Sequence, residues 1–208
     1  MNRKETDILA LRHYSRLRPI NCNIVSGSTD SFFTVKINDP IDVDIRKGDP
    51  VTFGKLENES NTKILGGSII SASSNNLVIS SDSNKCEIER RKNERYPVSI
   101  YGNIKFGPKK QITTTIWVKD ISCDGLRILT DAKLGLNEDI EIDLFNQNNL
   151  LNLECKVVRK SSLYDRNEYG LQIKFRDKNA IFSLREYLDI LIKNEKRIIK
   201  NLLSFNDG

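Results

Sequence analysis

Histidine is almost missing from this chain: His13 is the only one among 208 residues. Imidazole carries most general acid–base chemistry, activates many nucleophiles and binds much of catalytic zinc, so histidine-based catalysis is not expected. The four cysteines, Cys22, Cys86, Cys123 and Cys155, are scattered without a Cys-x-x-Cys pair. That excludes a zinc knuckle or a dithiol redox motif and leaves buried or inert thiols as the expectation. Apolar runs are short as well. Residues 8–11 form the only one near the start, too short for a signal peptide, and no stretch approaches the roughly 20 apolar residues that span a bilayer. A cytoplasmic protein with reduced thiols is expected. A Gly-rich phosphate loop, a His-Glu-x-x-His helix, a nucleophile elbow and a paired-carboxylate motif are all lacking, so neither an enzyme nor a bound cofactor or metal is expected.

What the chain does have is material for a core. Its residues are 38% hydrophobic and 29% charged, with only 5 Pro, the composition of a globular protein. Its length allows one large domain or two of roughly 100 residues. The formal net charge is +5 and it is unevenly placed. Residues 1–88 carry 11 Lys+Arg against 11 Asp+Glu, which leaves 22 and 17 for residues 89–208. The whole excess lies in the second part, where an anionic partner is expected.

Short β-type runs at 23–25, 32–37, 51–54, 63–70 and 77–79 alternate with turn chemistry such as Gly27-Ser28, Asp39-Pro40 and Gly48-Asp49-Pro50. This pattern predicts a small antiparallel barrel or sandwich. Before it, residues 7–17 do not alternate, since Leu9, Ala10, Leu11 and Tyr14 mix both faces of a strand; a short helix is expected there. From 80 to 95 the sequence turns polar and charged, which places a domain boundary near residue 88. A second series follows at 98–106, 112–121, 125–129, 140–145, 150–158 and 169–175. Six strands point to a closed barrel, because closure removes exposed sheet edges. The expectation is therefore an all-β chain of two small barrels, residues 1–88 and 89–208, ending in an amphipathic helix. That helix is marked by Ile181, Leu184, Leu188, Leu191, Ile198 and Leu202, broken by Glu195. Its first turns are expected to pack on the barrel before it. Its second half is left to a partner or to a homodimer through an a/d seam.

Two short patterns carry chemistry. Arg90-Arg91-x-x-x-Arg95 falls at the interdomain linker, and Asp120-x-Ser122-x-x-Gly125 falls in a turn between two strands about 25 residues later. With Tyr96-Pro97-Val98 after the first and Tyr169-Gly170-Leu171-Gln172-Ile173-Lys174-Phe175 near the end, residues 89–176 resemble the PilZ family. The resemblance implies a six-stranded PilZ barrel that binds cyclic di-GMP, with Arg90, Arg91, Arg95, Asp120, Ser122 and Gly125 around the ligand. It also implies that Arg90 accompanies an intercalated pair of ligands. The preceding β domain, with Gly48-Asp49-Pro50-Val51, is similar to the PilZN barrel of flagellar-brake proteins. There two barrels flank the arginine linker, and ligand reorients them to signal through protein partners in motility, attachment or polysaccharide production.

The residue types fit that ligand independently of the family. Cyclic di-GMP offers two phosphates and two guanines. A guanidinium binds phosphate oxygens in a fork, pairs with guanine O6 and N7, and stacks on a purine face. An ionised carboxylate only accepts, which suits Asp120 to the donor edge of guanine. Ser122 adds a hydroxyl, and Gly125 permits a close backbone approach or a positive φ. Tyr169 and Gly170 are expected to be structural, and Trp117 a barrel residue. The competing reading is a nucleic-acid-binding barrel, favoured by the basic second half. Aromatics at 7% of residues, without a clustered stacking platform, weigh against it.

Overall fold

A computed structural model describes residues 8–16, 18–38, 44–58, 61–82, 93–146 and 149–204. The chain divides into two compact units, residues 1–87 with 195–208, and residues 88–194.

The first unit is built on a closed barrel of β1 (Ile8–His13), β2 (Ile20–Gly27), β3 (Phe32–Ile37), β4 (Pro50–Asn58), β5 (Asn61–Ala72) and β6 (Asn76–Ser81). Around the barrel they run β1-β2-β3-β6-β5-β4. The helix expected at residues 7–17 is instead a strand. Leu9 and Leu11 point into the core with Phe33, Phe53 and Ile69, while Ala10 lies on the outer face, fully buried with Ile199 and Leu203. A strand covered on both sides loses the alternation that marks one, so its apolar residues run together.

The single histidine holds this strand in place. His13 is buried, with Nε2 3.1 Å from Asp49 Oδ2 and Nδ1 2.6 Å from Ser15 Oγ. Asp49 also accepts from Tyr14 Oη at 3.2 Å and from the Arg46 backbone N–H at 2.7 Å. A carboxylate with no exposure needs such donors, and together they tie the end of β1 to the turn before β4. Gly48 occupies that turn at φ 87°, a conformation that costs other residues about 1 kcal/mol or more.

The second unit closes a barrel of β7 (Tyr96–Phe106), β8 (Ile112–Ile121), β9 (Gly125–Thr130), β10 (Asp139–Asn146), β11 (Asn149–Leu163) and β12 (Arg166–Lys174). Their order, β7-β8-β9-β12-β11-β10, repeats that of the first barrel. Alternation works cleanly here. Ile140, Ile142 and Leu144 of β10 and Leu126 and Ile128 of β9 fill the core, and the residues between them face outward. Tyr169 is also a core residue, fully buried; its hydroxyl accepts from the Leu134 N–H at 2.8 Å and lies 3.3 Å from the Ala132 carbonyl, to which it donates.

The helix α1 (Lys178–Ser204) begins at Asp177, whose Oδ1 accepts the Ala180 N–H at 2.9 Å as an N-cap. Within the second unit, Leu184, Tyr187, Leu188 and Leu191 join the barrel core. Within the first, Ile199 and Leu203 bury against Ala10, with Ile8 and Ile64 alongside. The apolar seam of the second half is thus occupied inside the chain, by Ile199 and Leu203 with the expected Leu202 packed against them, while Ile198 is half-buried. Glu195 does not interrupt it. The residue is buried and Oε2 meets Arg12 Nε at 3.1 Å; burial raises its carboxyl pKa even against the opposing pull of Arg12. Among the described residues no helix is long and apolar enough to cross a membrane.

Candidate ligand-binding site

Arg95 of the first sequence pattern meets Asp120 of the second on the outside of the second barrel. Asp120 lies near the end of β8 and pairs with Pro97 of β7 and Arg127 of β9. Ile116 and Val118 point into the core, and strict alternation would send residue 120 there too. The β8–β9 register shifts between Val118 and Asp120, so Lys119 is the extra residue of a bulge. The bulge turns the Asp120 side chain outward, a use of irregularity common beside binding sites.

Asp120 is held by two arginines. Arg95, the last residue before β7, places Nη1 3.1 Å from Oδ1. Arg127 places Nη2 2.6 Å from Oδ2. The carboxylate side chain is only 10% exposed, so charge-assisted bonds of this length offset its lost hydration. A carboxylate has about four acceptor sites, and the two guanidiniums leave capacity for a donor edge.

Ser122 and Gly125 shape the turn beneath. The Ser122 hydroxyl is buried; Oγ lies 2.5 Å from Asp124 Oδ1 and 3.0 Å from the Gly125 carbonyl, and it accepts the Gly125 N–H at 3.2 Å. Its backbone N–H reaches the same carbonyl at 2.8 Å. Of the two reasons for glycine at 125, close approach is the operative one. Its φ is not among the positive ones, and a Cβ there would collide with the Leu171 carbonyl of β12. Arg90 and Arg91 lie outside the described residues.

The surrounding face is polar and paired. Lys119 Nζ lies 3.7 Å from Glu168 Oε2, and Ser161 Oγ donates to Glu168 Oε1 at 3.1 Å. Trp117 faces out, as its neighbours Ile116 and Val118 require, and the Arg166 guanidinium sits 4.1 Å from its ring centroid, cation–π contact distance. Cys123, inside the turn, is half-buried. Cys22 and Cys155 are buried, and desolvation pushes the Cys155 thiol up to about 12, which keeps it protonated and inert. Cys86 lies outside the described residues. Among the described residues no cluster of His, Cys, Asp and Glu could hold a metal ion.

Arg127 is a site residue that neither motif contains. Its signal was nonetheless present: between Leu126 and Ile128, both apolar, an arginine must face outward on the side of Asp120.

The model of one family, described as the PilZ domain, matches residues 89–189. Those residues form a PilZ domain. The PilZ barrel here has the six strands expected of the family, and Arg95 of its arginine motif meets Asp120 on the outer face. No curated protein matches the sequence. Solved structures similar to the chain include the K. pneumonia MrkH complex with c-di-GMP, at 15% identity over 91% of this chain and 89% of that chain, TM-score 0.46. Another is Escherichia coli YcgR in complex with c-di-GMP, at 10% identity over 94% and 88%, TM-score 0.47. A third is the Bacillus subtilis inhibitor of motility MotI/DgrA, at 12% identity over 93% and 99%, TM-score 0.40.

Proposed function

We propose that this protein is a non-enzymatic receptor for cyclic di-GMP that signals through protein partners. The observation that carries the reading is the meeting of Arg95 and Asp120 at 3.1 Å across 25 residues of sequence, within a PilZ domain. A guanidinium and a carboxylate held together offer a phosphate fork and a guanine acceptor within one ligand's reach. Arg90 and Arg91, adjacent in sequence, supply further cationic forks, and Ser122 and Gly125 shape the turn that borders the ligand. Two intercalated ligands per chain follow from Arg90, and calorimetry reads that number directly.

Binding is converted to a signal at the boundary near residue 88. The arginines there repel one another until phosphates neutralise them, and that neutralisation changes the interdomain orientation. Outputs in motility, attachment or polysaccharide production follow from the PilZ resemblance, with a protein partner in the cytoplasm as the receiver; the seam of α1 expected to form a homodimer is occupied inside the chain. No chemistry is performed on the ligand: cyclic di-GMP is expected to be recovered intact after incubation. Small-angle scattering of the full chain with and without cyclic di-GMP tests the reorientation. Different curves are expected; identical curves at saturating ligand contradict it.

A further inference from the structure

One row of residues runs across the outer face of the second barrel at a single register level. Asp120 of β8 pairs with Arg127 of β9, Arg127 with Gly170 of β12, and Gly170 with Arg159 of β11. Core residues flank each of them, Leu126 and Ile128 on β9, Tyr169 and Leu171 on β12 and Val157 on β11, so all four face outward. The outward direction of Arg159 is again the product of a bulge. The β11–β12 register shifts between Val157 and Arg159, and Val158 is the extra residue.

Arg159 differs from the other cations of this face. Arg95 and Arg127 are committed to Asp120, Lys119 to Glu168, and Arg166 to the Trp117 ring. Glu168, two residues before Gly170 on β12, is already engaged by Lys119 and Ser161. Among the described residues Arg159 makes no ion pair, and it is exposed. Its side chain lies along Gly170, where a Cβ would sit 3.1 Å from Arg159 Cβ and 3.9 Å from Cδ. The missing side chain at 170 therefore leaves room for the Arg159 stem to lie over β12, with Arg127 and Arg159 on strands about two spacings, roughly 10 Å, apart.

We infer that Arg159 is a further anion-binding residue of the site, taking the phosphodiester of cyclic di-GMP that Arg95 and its linker neighbours do not. The inference rests on the cyclic di-GMP reading given above. The row itself carries Arg127, Arg159 and Asp120, and Arg95, which meets Asp120 from the segment before β7, brings the group to two net positive charges, the number of phosphodiesters in the ligand. The Asp120 end reads the base and the Arg159 end holds a phosphate across the Gly170 gap. Gly170, expected to be structural from the sequence, becomes the floor of the site. A guanidinium that binds phosphate in a fork contributes position as well as charge.

The test is a titration of cyclic di-GMP into the full chain and into Arg159→Ala, Arg159→Lys and Gly170→Ala, each checked by thermal melting. Arg159 is exposed, so its variants are expected to melt with the wild type. Arg159→Ala is expected to weaken binding by about tenfold or more, the equivalent of one charged hydrogen bond. The loss should persist at high salt, where long-range attraction is screened. Arg159→Lys should recover part of the loss. Gly170→Ala, which keeps the charge and displaces the side chain, should weaken binding without lowering the melting temperature as much as a core defect would. Wild-type binding with an unchanged affinity in Arg159→Ala overturns this inference and leaves the receptor reading standing. A wild type that does not bind cyclic di-GMP overturns both.

Discussion

Asp120 shows how much of this protein depends on single side chains placed by irregular backbone. Its type and its spacing to Gly125 were plain in the sequence, and so was Arg95. Their meeting at 3.1 Å was not, because it needs the Lys119 bulge, a one-residue shift that no hydrophobic pattern announces. Arg127 was visible only as an alternating polar position. Elsewhere on the same barrel Asp143 offers a sharper check of residue-level electrostatics. The Asn152 side-chain N–H at 2.7 Å, followed by Lys105, holds its carboxyl below the usual range despite some burial. A depressed carboxylate adds stability above its unfolded pKa, near 4, and loses it as the pH falls through the folded value. Asp143→Asn should therefore cost about 1 kcal/mol at pH 7, and the gap from wild type should narrow as the pH falls below the usual carboxylate range. Denaturant melts at neutral pH and below that range measure it; a gap that stays constant with pH would contradict the assignment.

At the scale of elements, the strands of the second barrel were legible because each has one wet face, and alternation such as Ile140-Glu141-Ile142-Asp143-Leu144 survives. The first strand was not legible, for the opposite reason. With Leu9 and Leu11 in the barrel and Ala10 under Ile199 and Leu203, no face was left to be polar. The same cover explains why Glu195 looked like a break in α1. A lone carboxylate in an apolar stripe reads as an end. Its partner Arg12 stands on β1, near the opposite end of the chain, and local periodicity cannot see a partner so distant in sequence. Ala10→Leu tests the cover directly. On a solvated outer face of a strand it would be neutral. Against Ile199 and Leu203 it overpacks, and a loss of about 1–3 kcal/mol is expected in equilibrium unfolding. An unchanged stability would show that the outer face of β1 is open.

For the molecule as a whole, charge and composition by themselves narrow the function. The chain has one histidine, and that residue is spent on Asp49 inside a barrel. The net charge of +5 belongs to the part that contains the PilZ domain, where Arg95 and Arg127 converge on Asp120. That concentration fits a small dianion better than an extended nucleic acid, whose binding needs many dispersed phosphate contacts. The most direct test of the account is a calorimetric titration of cyclic di-GMP into the wild-type chain, Arg91→Ala and Arg95→Ala, with a single-stranded oligonucleotide as the competing ligand. Saturable binding of cyclic di-GMP by the wild type is predicted, with a loss of about tenfold or more in each variant and no comparable affinity for the oligonucleotide. Equal binding in all three proteins, or steeply salt-dependent binding of the oligonucleotide with none of cyclic di-GMP, would contradict it.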